Sequence, residues 1–249
     1  HTAYRRQRQM CIRDSSDTAR LDAELLMAHA IGHSRSDMLL RAMRDAAPPG
    51  FDALVERRAG HEPVAYITWT AEFYGLELKV TPATLIPRGD SETLVEAALA
   101  LKPGALRVLD LGTGSGALLL AVLAHLGQAE GLGIDRSEAA LAVARANAEA
   151  LGLAPRARFV AGDWHAKGWA QGLGTFDLVL CNPPYVEADA ALDRQVADYE
   201  PATALFAGPE GLDDYRVLIP QLRALMNPQA RAILEIGANQ SEAVSALSA

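Results

Sequence analysis

From residue 94 onward, short apolar runs alternate with longer amphipathic stretches, so the hydrophobic period switches repeatedly between 2 and 3.6. Residues 107–111, 131–135, 158–160, 176–181 and 231–236 read as five strands. The pattern between them predicts a helix over 115–126, a second carrying Leu141, Val143 and Leu151, and a third through Tyr215, Val217, Leu218 and Leu225 that Pro220 kinks. Strand–helix alternation of this kind predicts an α/β fold, a doubly wound, mostly parallel sheet with helices on both faces.

The first part of the chain has a different texture. Ser16 or Asp17 can cap a helix with the apolar stripe Leu21, Leu25 and Ala28, ending at Gly32. Ser36 can cap a second helix through Met38, Leu39 and Met43, which the 48–50 Pro-Pro-Gly run breaks. A third helix carries Phe51, Leu54 and Val55 before Gly60. Between Tyr66 and Val80, β-branched and aromatic residues around Gly75 predict a hairpin. The expected organisation is therefore a helical unit over 17–62, a hairpin connector over 63–84 and an α/β domain over 85–249. A unit of roughly 45 residues is too small to be stable unless it docks on something larger. Residues 1–16 are rich in arginine and lack apolar periodicity, so they are expected to be a disordered or artefactual tail.

Composition narrows the function classes. The 249 residues are 50% hydrophobic, enough for a sizeable core, and no run reaches membrane-spanning length. A net charge of −8 argues against direct nucleic-acid binding. The two cysteines, Cys11 and Cys181, and six scattered histidines have no metal-ligand or disulfide spacing, so no metal is expected and a reducing cytosol fits.

Candidate chemistry collects where the strands end. Gly112, Thr113, Gly114, Ser115 and Gly116 close the first strand and open a helix, a loop that lets a ligand approach the backbone at a helix N-terminus. This run also fits the dinucleotide fingerprint and by itself separates no adenosyl cofactor from another. Asp135, nineteen residues after Gly116, ends the second strand, where a carboxylate can accept both ribose hydroxyls. Asp163 follows the third strand as an acceptor for an adenine amine, with Trp164 beside it. Asn182, Pro183, Pro184 and Tyr185 follow the fourth. An Asn side-chain amide and a proline carbonyl, stiffened by two adjacent rings, can together accept both hydrogens of a planar –NH2 group, with Tyr185 stacking on its face. A dehydrogenase uses the glycine loop and the first acid but not the Asn-Pro-Pro-Tyr segment; an S-adenosylmethionine-dependent methyltransferase uses all four features.

At these residues the chain resembles the release factor glutamine methyltransferases. The matching stretches are 20–26, 62–67, 85–88 (Leu-Ile-Pro-Arg), 108–116, 162–164, 182–185, 199–201 and 211–216, and the resemblance runs from about 19 to 240. It implies a class I, Rossmann-like methyltransferase domain over 85–249, a substrate-recognising helical domain over 17–62, and S-adenosylmethionine as cofactor, released as S-adenosylhomocysteine. The glycine loop (Gly112, Thr113, Gly114, Gly116) would hold the methionine portion, Asp135 the ribose, and Asp163 and Trp164 the adenine. Asn182 and the Pro183 carbonyl would grip the glutamine amide of a Gly-Gly-Gln loop, with Pro184 and Tyr185 packing nearby. The implied protein is a bacterial cytoplasmic monomer whose partner is a peptide chain release factor.

Three departures stand out. Gly89 and Trp69 occupy positions where the family usually has proline and glycine, and the sheet is expected to be C-terminally shortened, leaving its fifth strand as an edge with reduced stability. The competing readings are a ribosomal-protein glutamine methyltransferase, an adenine or guanine amino-methyltransferase, and a fragment that binds cofactor without turnover.

Overall fold

The computed structural model describes residues 18–42 and 46–247. The expectations for the 1–16 tail, the Ser16 or Asp17 cap and Met43 lie outside those residues. Two compact units emerge: residues up to Trp69 together with Asp193–Tyr199, and Thr70–Leu192 together with Glu200–Ala249.

In the first unit, α1 (Ala19–Ile31) stops at Gly32, whose φ of 67° lets its N–H reach back to Ala28 and His29. Its inward face matches the expected stripe only in part: Ala28 is buried and Leu25 half-buried, but Leu21 is not. Leu21 is 40% exposed, whereas Leu26 is fully buried beside Asp22 and Glu24. The reason is ionic: Asp22 accepts from Arg58 Nε at 2.8 Å, and Glu24 accepts from Arg20 and Arg35. Likewise Ser34, not Ser36, caps the next turn, its Oγ accepting from Asp37 N, and the chain continues as a π-helix over Met38–Ala42. Helix α2 (Phe51–Ala59) forms as read, but Tyr66, Ile67 and Thr68 belong to α3 (Val64–Thr68) rather than to a strand. Trp69 ends α3 at φ 64°, a left-handed conformation that glycine adopts without cost. Leu26, Phe51, Val55 and Ile67 form the core, and Tyr199 donates to the Gly60 carbonyl.

Burial raises the pKa of Glu24, but the hydrogen bonds from Arg20 and Arg35 outweigh it, leaving the carboxyl below its ordinary 4.5. A depressed carboxyl stabilises the fold above 4.5, and that contribution disappears as pH falls through the folded-state value. Glu24→Gln is therefore expected to cost about 1–2 kcal/mol at pH 7, since both guanidinium groups can re-solvate. Denaturant melts should show this deficit closing as pH is lowered beneath the ordinary 4.5.

The second unit opens with a hairpin, β1 (Thr70–Phe73) and β2 (Leu76–Lys79), turning at Tyr74 and Gly75, both with positive φ. There follow α4 (Glu92–Leu101), β3 (Arg107–Leu111), α5 (Ala117–His125), β4 (Glu130–Asp135) and α6 (Glu138–Ala150). The chain continues through β5 (Ala157–Ala161), β6 (Phe176–Cys181), α7 (Asp213–Leu222), β7 (Met226–Leu234) and α8 (Ser241–Leu247). The large sheet has the order β5-β4-β3-β6-β7 with every pair parallel, which is the doubly wound arrangement expected.

Side-chain alternation sorts the two faces. Val108, Leu178 and Leu180 pack under α4, α5 and α6, while Leu109, Leu111, Val179 and Cys181 pack under Leu218 and Leu222 of α7. In the order of the described residues β7 stands at one end of the sheet, and it runs Met226–Leu234 instead of 231–236. A register irregularity against β6 interrupts it, and Gln229 there has φ 66°, so Pro228 and Gln229 hide the strand's start from a period-2 reading. Helix α7 ends at Leu222, two residues past Pro220, and continues as a 3-10 turn.

Register sets the site. Leu111 pairs with Cys181, Cys181 with Leu234, and Asp135 with Ala161. The next residues therefore emerge side by side at the carboxyl edge: Gly112, Asn182 and Glu235 in one row, with Gly162 beside the end of β4. The strand order reverses between β3 and β6, the place where such sheets bind ligands.

Candidate active site

At that edge lies a cavity of about 240 Å³. Its floor is the glycine loop. Gly112 and Thr113 both donate to the Ile134 carbonyl, and Gly116 donates to the Thr113 carbonyl at 2.7 Å. Gly112 is required twice over: its φ is +71°, and a Cβ there would stand 3.2 Å from the Trp164 ring. The resulting cradle between loop and indole is one that a side chain would fill. Asn147, buried on α6, secures the loop from behind: its Nδ2 donates to the Ser115 and Lys79 carbonyls, and its Oδ1 accepts from Lys79 N.

Asp135 faces the cavity with Oδ2 accepting from Gly114 N and Oδ1 from Ser137 N, both at 2.9 Å. These bonds fix the carboxylate plane while each oxygen keeps a further lone pair for a ligand hydroxyl. Asp163 lines the same cavity and turns its backbone by accepting from His165 N. Trp164 is oriented by its indole N–H, which donates 2.7 Å to Asp214 Oδ1, an oxygen that also contacts His165 Nε2.

Asn182 lines the cavity from β6, and a hydrogen-bonded chain runs behind it. Its Nδ2 donates to Ser91 Oγ at 3.3 Å, Ser91 donates to Glu235 Oε2 at 2.5 Å, and Tyr185 O–H donates to Glu235 Oε1 at 3.2 Å. Burial raises the Tyr185 pKa, and the Glu235 charge and hydrogen bond add to it, so the phenol remains a donor. Burial also pushes the Cys181 thiol well up, so it is no nucleophile. Opposite, Glu200 accepts from Ile86 N and from Arg88, and these bonds hold the 85–88 segment at the cavity.

Of the sequence-derived candidates, Gly112, Thr113, Gly114, Asp135, Asp163, Trp164, Asn182 and Pro184 come together on this cavity. Gly116, Pro183 and Tyr185 are not on its lining. Gly116 serves packing: a Cβ there would meet Leu120 at 3.1 Å and Ala144 at 3.3 Å, where α5 crosses α6. Sequence reading missed Asp110, Ser91, Asp214 and Glu235. The available signals were a charge inside an apolar strand for Asp110 and Glu235, and an acid opening a helix for Asp214. Among the described residues no group of His, Cys, Asp and Glu could hold a metal ion, and no helix is long and apolar enough to cross a membrane.

Known proteins match this chain throughout. A methyltransferase-domain model matches residues 102–239, and a PrmC N-terminal domain model matches residues 3–68. The release factor glutamine methyltransferase of Rhodospirillum rubrum is 45% identical over 92% of this chain and 71% of its own length; that of Caulobacter vibrioides is 41% identical over 93% and 81%. This chain belongs to the release factor glutamine methyltransferase family. In fold, a SAM-dependent methyltransferase from Agrobacterium tumefaciens is similar at a TM-score of 0.50 and 19% identity, covering 72% of this chain and 56% of that one.

Membership in the family sharpens the reading of one departure at the cavity rim. Gly89 starts the 3-10 turn Gly89–Ser91, nothing lies within 4 Å of its Cβ position, and Arg88 before it is extended at φ −101°, ψ 143°. All three conditions suit proline, the residue that the resemblance leads us to expect there. Gly89→Pro is expected to raise stability by about 0.5–1 kcal/mol through the unfolded chain, measured as a higher denaturation midpoint at unchanged slope.

Proposed function

We propose that this chain transfers the methyl group of S-adenosylmethionine to the side-chain amide N5 of the glutamine in the Gly-Gly-Gln motif of a peptide chain release factor, leaving S-adenosylhomocysteine. The observation that carries the reading is the position of Asn182. A side-chain amide stands on the wall of a cavity whose other walls are a glycine cradle, Asp135, Asp163 and Trp164. The donor set fits an adenosyl cofactor: backbone amides and glycines for the methionine portion, Asp135 for ribose hydroxyls, and Asp163 beside the Trp164 face for adenine. When bound, that cofactor supplies an electrophilic methyl on a sulfonium.

The rest falls to the chain's own groups. An amide nitrogen is a weak nucleophile because its lone pair is delocalised. Asn182 and the Pro183 carbonyl would accept its two hydrogens and hold it in line, and orientation of this kind is worth several kcal/mol. The same acceptors stabilise the positive charge that grows on nitrogen as its bond to the methyl carbon forms and the carbon–sulfur bond breaks. The alkylated amide is then acidic enough to lose its proton to water, so no dedicated base is needed. Pro184 and Tyr185 would shape the clamp. The same reading makes the protein a bacterial cytoplasmic monomer, with residues 17–62 docking the release factor and 85–249 carrying the chemistry.

The test is transfer of label from S-adenosylmethionine to a release factor and to its Gly-Gly-Gln→Gly-Gly-Ala variant. Label on the first and none on the second is the expected result. Label on both would point to another residue, and label on a ribosomal protein or nucleic acid instead would favour a rival substrate. Cofactor binding by titration without any transfer would identify a binding fragment.

A further inference from the structure

Side-chain amides have nearly isosteric oxygen and nitrogen ends, so which end faces a substrate is decided by the partners behind. For Asn182 those partners have a fixed polarity. A carboxylate can only accept, and Glu235 accepts from Ser91 through Oε2 and from Tyr185 through Oε1. Ser91 has one hydroxyl hydrogen, and it is committed to Glu235. Towards Asn182, Ser91 can therefore only accept, and only the Nδ2 end of the amide satisfies it.

On this basis we propose that Glu235 and Ser91 are positioning residues: through them the carboxylate sets the Asn182 amide so that Oδ1, not Nδ2, is presented to the substrate. The inference rests on the glutamine-transfer reading for its functional consequence, but not for its geometry. Turned around, the amide would offer N–H to the substrate's own N–H, leave two donors facing each other and leave the target nitrogen without its acceptor.

The frame is built to hold this order. Glu235 is the first residue past β7, where its N–H donates to the Cys181 carbonyl at 3.0 Å, directly beside Asn182. Its own carbonyl accepts from Tyr215 O–H at 2.7 Å, and Tyr215 is fully buried. Ser91 is 4% exposed and ends the 3-10 turn at the cavity rim. Glu235 is absent from the cavity lining, whereas Ser91 and Asn182 are on it, so Glu235 acts on the substrate through Ser91.

Two readouts test the relay. The first needs no substrate. In the full chain the Asn182 side-chain N–H2, bonded to Ser91, should exchange with solvent slowly by NMR, and exchange should accelerate at least several-fold in Ser91→Ala and Glu235→Gln. The second is methyl transfer. Each variant should lose roughly 10- to 100-fold in kcat, the scale of one oriented hydrogen bond to a charged group, with cofactor Kd within about threefold of wild type. The double variant should be no slower than the worse single one, because both break the same chain. Ser91→Thr, which restores the hydroxyl, should recover most of the Ser91→Ala loss. Unchanged exchange, a kcat within twofold of wild type, or losses that multiply in the double variant would each overturn the proposal. If Glu235→Gln does not fold, the Ala and Thr variants of Ser91 decide it alone: equal rates overturn it, and unequal rates in the stated order uphold it. A wild-type chain that transfers no methyl group would count against the substrate reading, while the exchange experiment would still settle the orientation.

Discussion

Asn182→Ala should lower kcat for methyl transfer by about 10²–10³-fold while leaving cofactor affinity within about threefold. The magnitude is that of removing one preorganised hydrogen-bonding group from a centre that acquires charge in the transition state. Truncation at Cβ removes the acceptor but leaves Gly112, Asp135, Asp163 and Trp164 in place, because none of their recorded hydrogen bonds passes through the Asn182 side chain. Asn182→Asp is the more severe test of the same idea. It keeps the shape and adds an acceptor, yet Ser91, already donating to Glu235, would have no hydrogen for it, and a second carboxylate would approach the first. Aspartate should therefore be as slow as alanine or slower. Single-turnover rates and isothermal titration would check both; an aspartate variant near the wild-type rate would contradict the account.

Asp110→Asn should change how stability depends on pH. Asp110 is 1% exposed, accepts from Thr113 at 2.6 Å through Oδ2, and has no hydrogen-bond partner for Oδ1 among the described residues. Burial pushes its carboxyl from an ordinary 3.8 up to about 7, with the nearby Asp135 charge adding and the Thr113 hydrogen bond opposing. A carboxyl raised in the fold holds its proton there while the unfolded chain releases it, so stability falls as pH climbs from 3.8 to about 7 and is flat above. At 1.36 kcal/mol per unit the interval amounts to about 4 kcal/mol as an upper figure. The asparagine variant lacks this fall. Relative to wild type it should gain stability between pH 5 and pH 8, a window above the range where the depressed Glu24 and Asp177 carboxyls titrate. Denaturant melts at the two pH values suffice. A stability difference, variant minus wild type, that stays constant, or falls, with rising pH would refute the assignment. The cost is carried directly behind Thr113, which lines the cavity and donates to Asp110, and burial-shifted carboxyls of this kind collect at functional sites.

How much of this was legible in the sequence depends on the period of each element. The strand at Phe176–Cys181 read correctly because every residue in it except Asp177 is apolar and buried, with Gly174 shortly before it and Pro183 and Pro184 shortly after. The start of β7 did not, since Pro228 and Gln229 break alternation where the chain bulges. In α1 the stripe held at Ala28 but failed at Leu21, because the helix buries Asp22 and Glu24 in ion pairs and hydropathy counts such residues as solvent-facing. The hairpin's first residues were misread because β-branched and aromatic side chains at Tyr66–Thr68 favour a strand, while packing of Ile67 on Leu26 and Phe51 favours the helix. Among functional groups, those whose backbone constraint shows in the residue type were visible: glycines with positive φ, and prolines after asparagine. Ser91 and Glu235 were not, because their role lies in hydrogen bonds spanning 91 and 144 positions of sequence.

The registration of the sheet has a consequence for length rather than composition. Gly112, Asn182 and Glu235 are each the first residue beyond a strand, and consecutive strand residues point to opposite faces. Conservative substitutions inside β3, β6 or β7 should be absorbed by repacking. Removing a single residue from any of them would instead turn its terminal functional group half a pleat, onto the wrong side of the sheet, with every other contact nominally available. Insertions and deletions should therefore be tolerated in the connections at the opposite edge, such as 102–106 and 151–156, and excluded from these three strands, so that a map of permitted chain-length changes would trace the site as sharply as a map of permitted side chains.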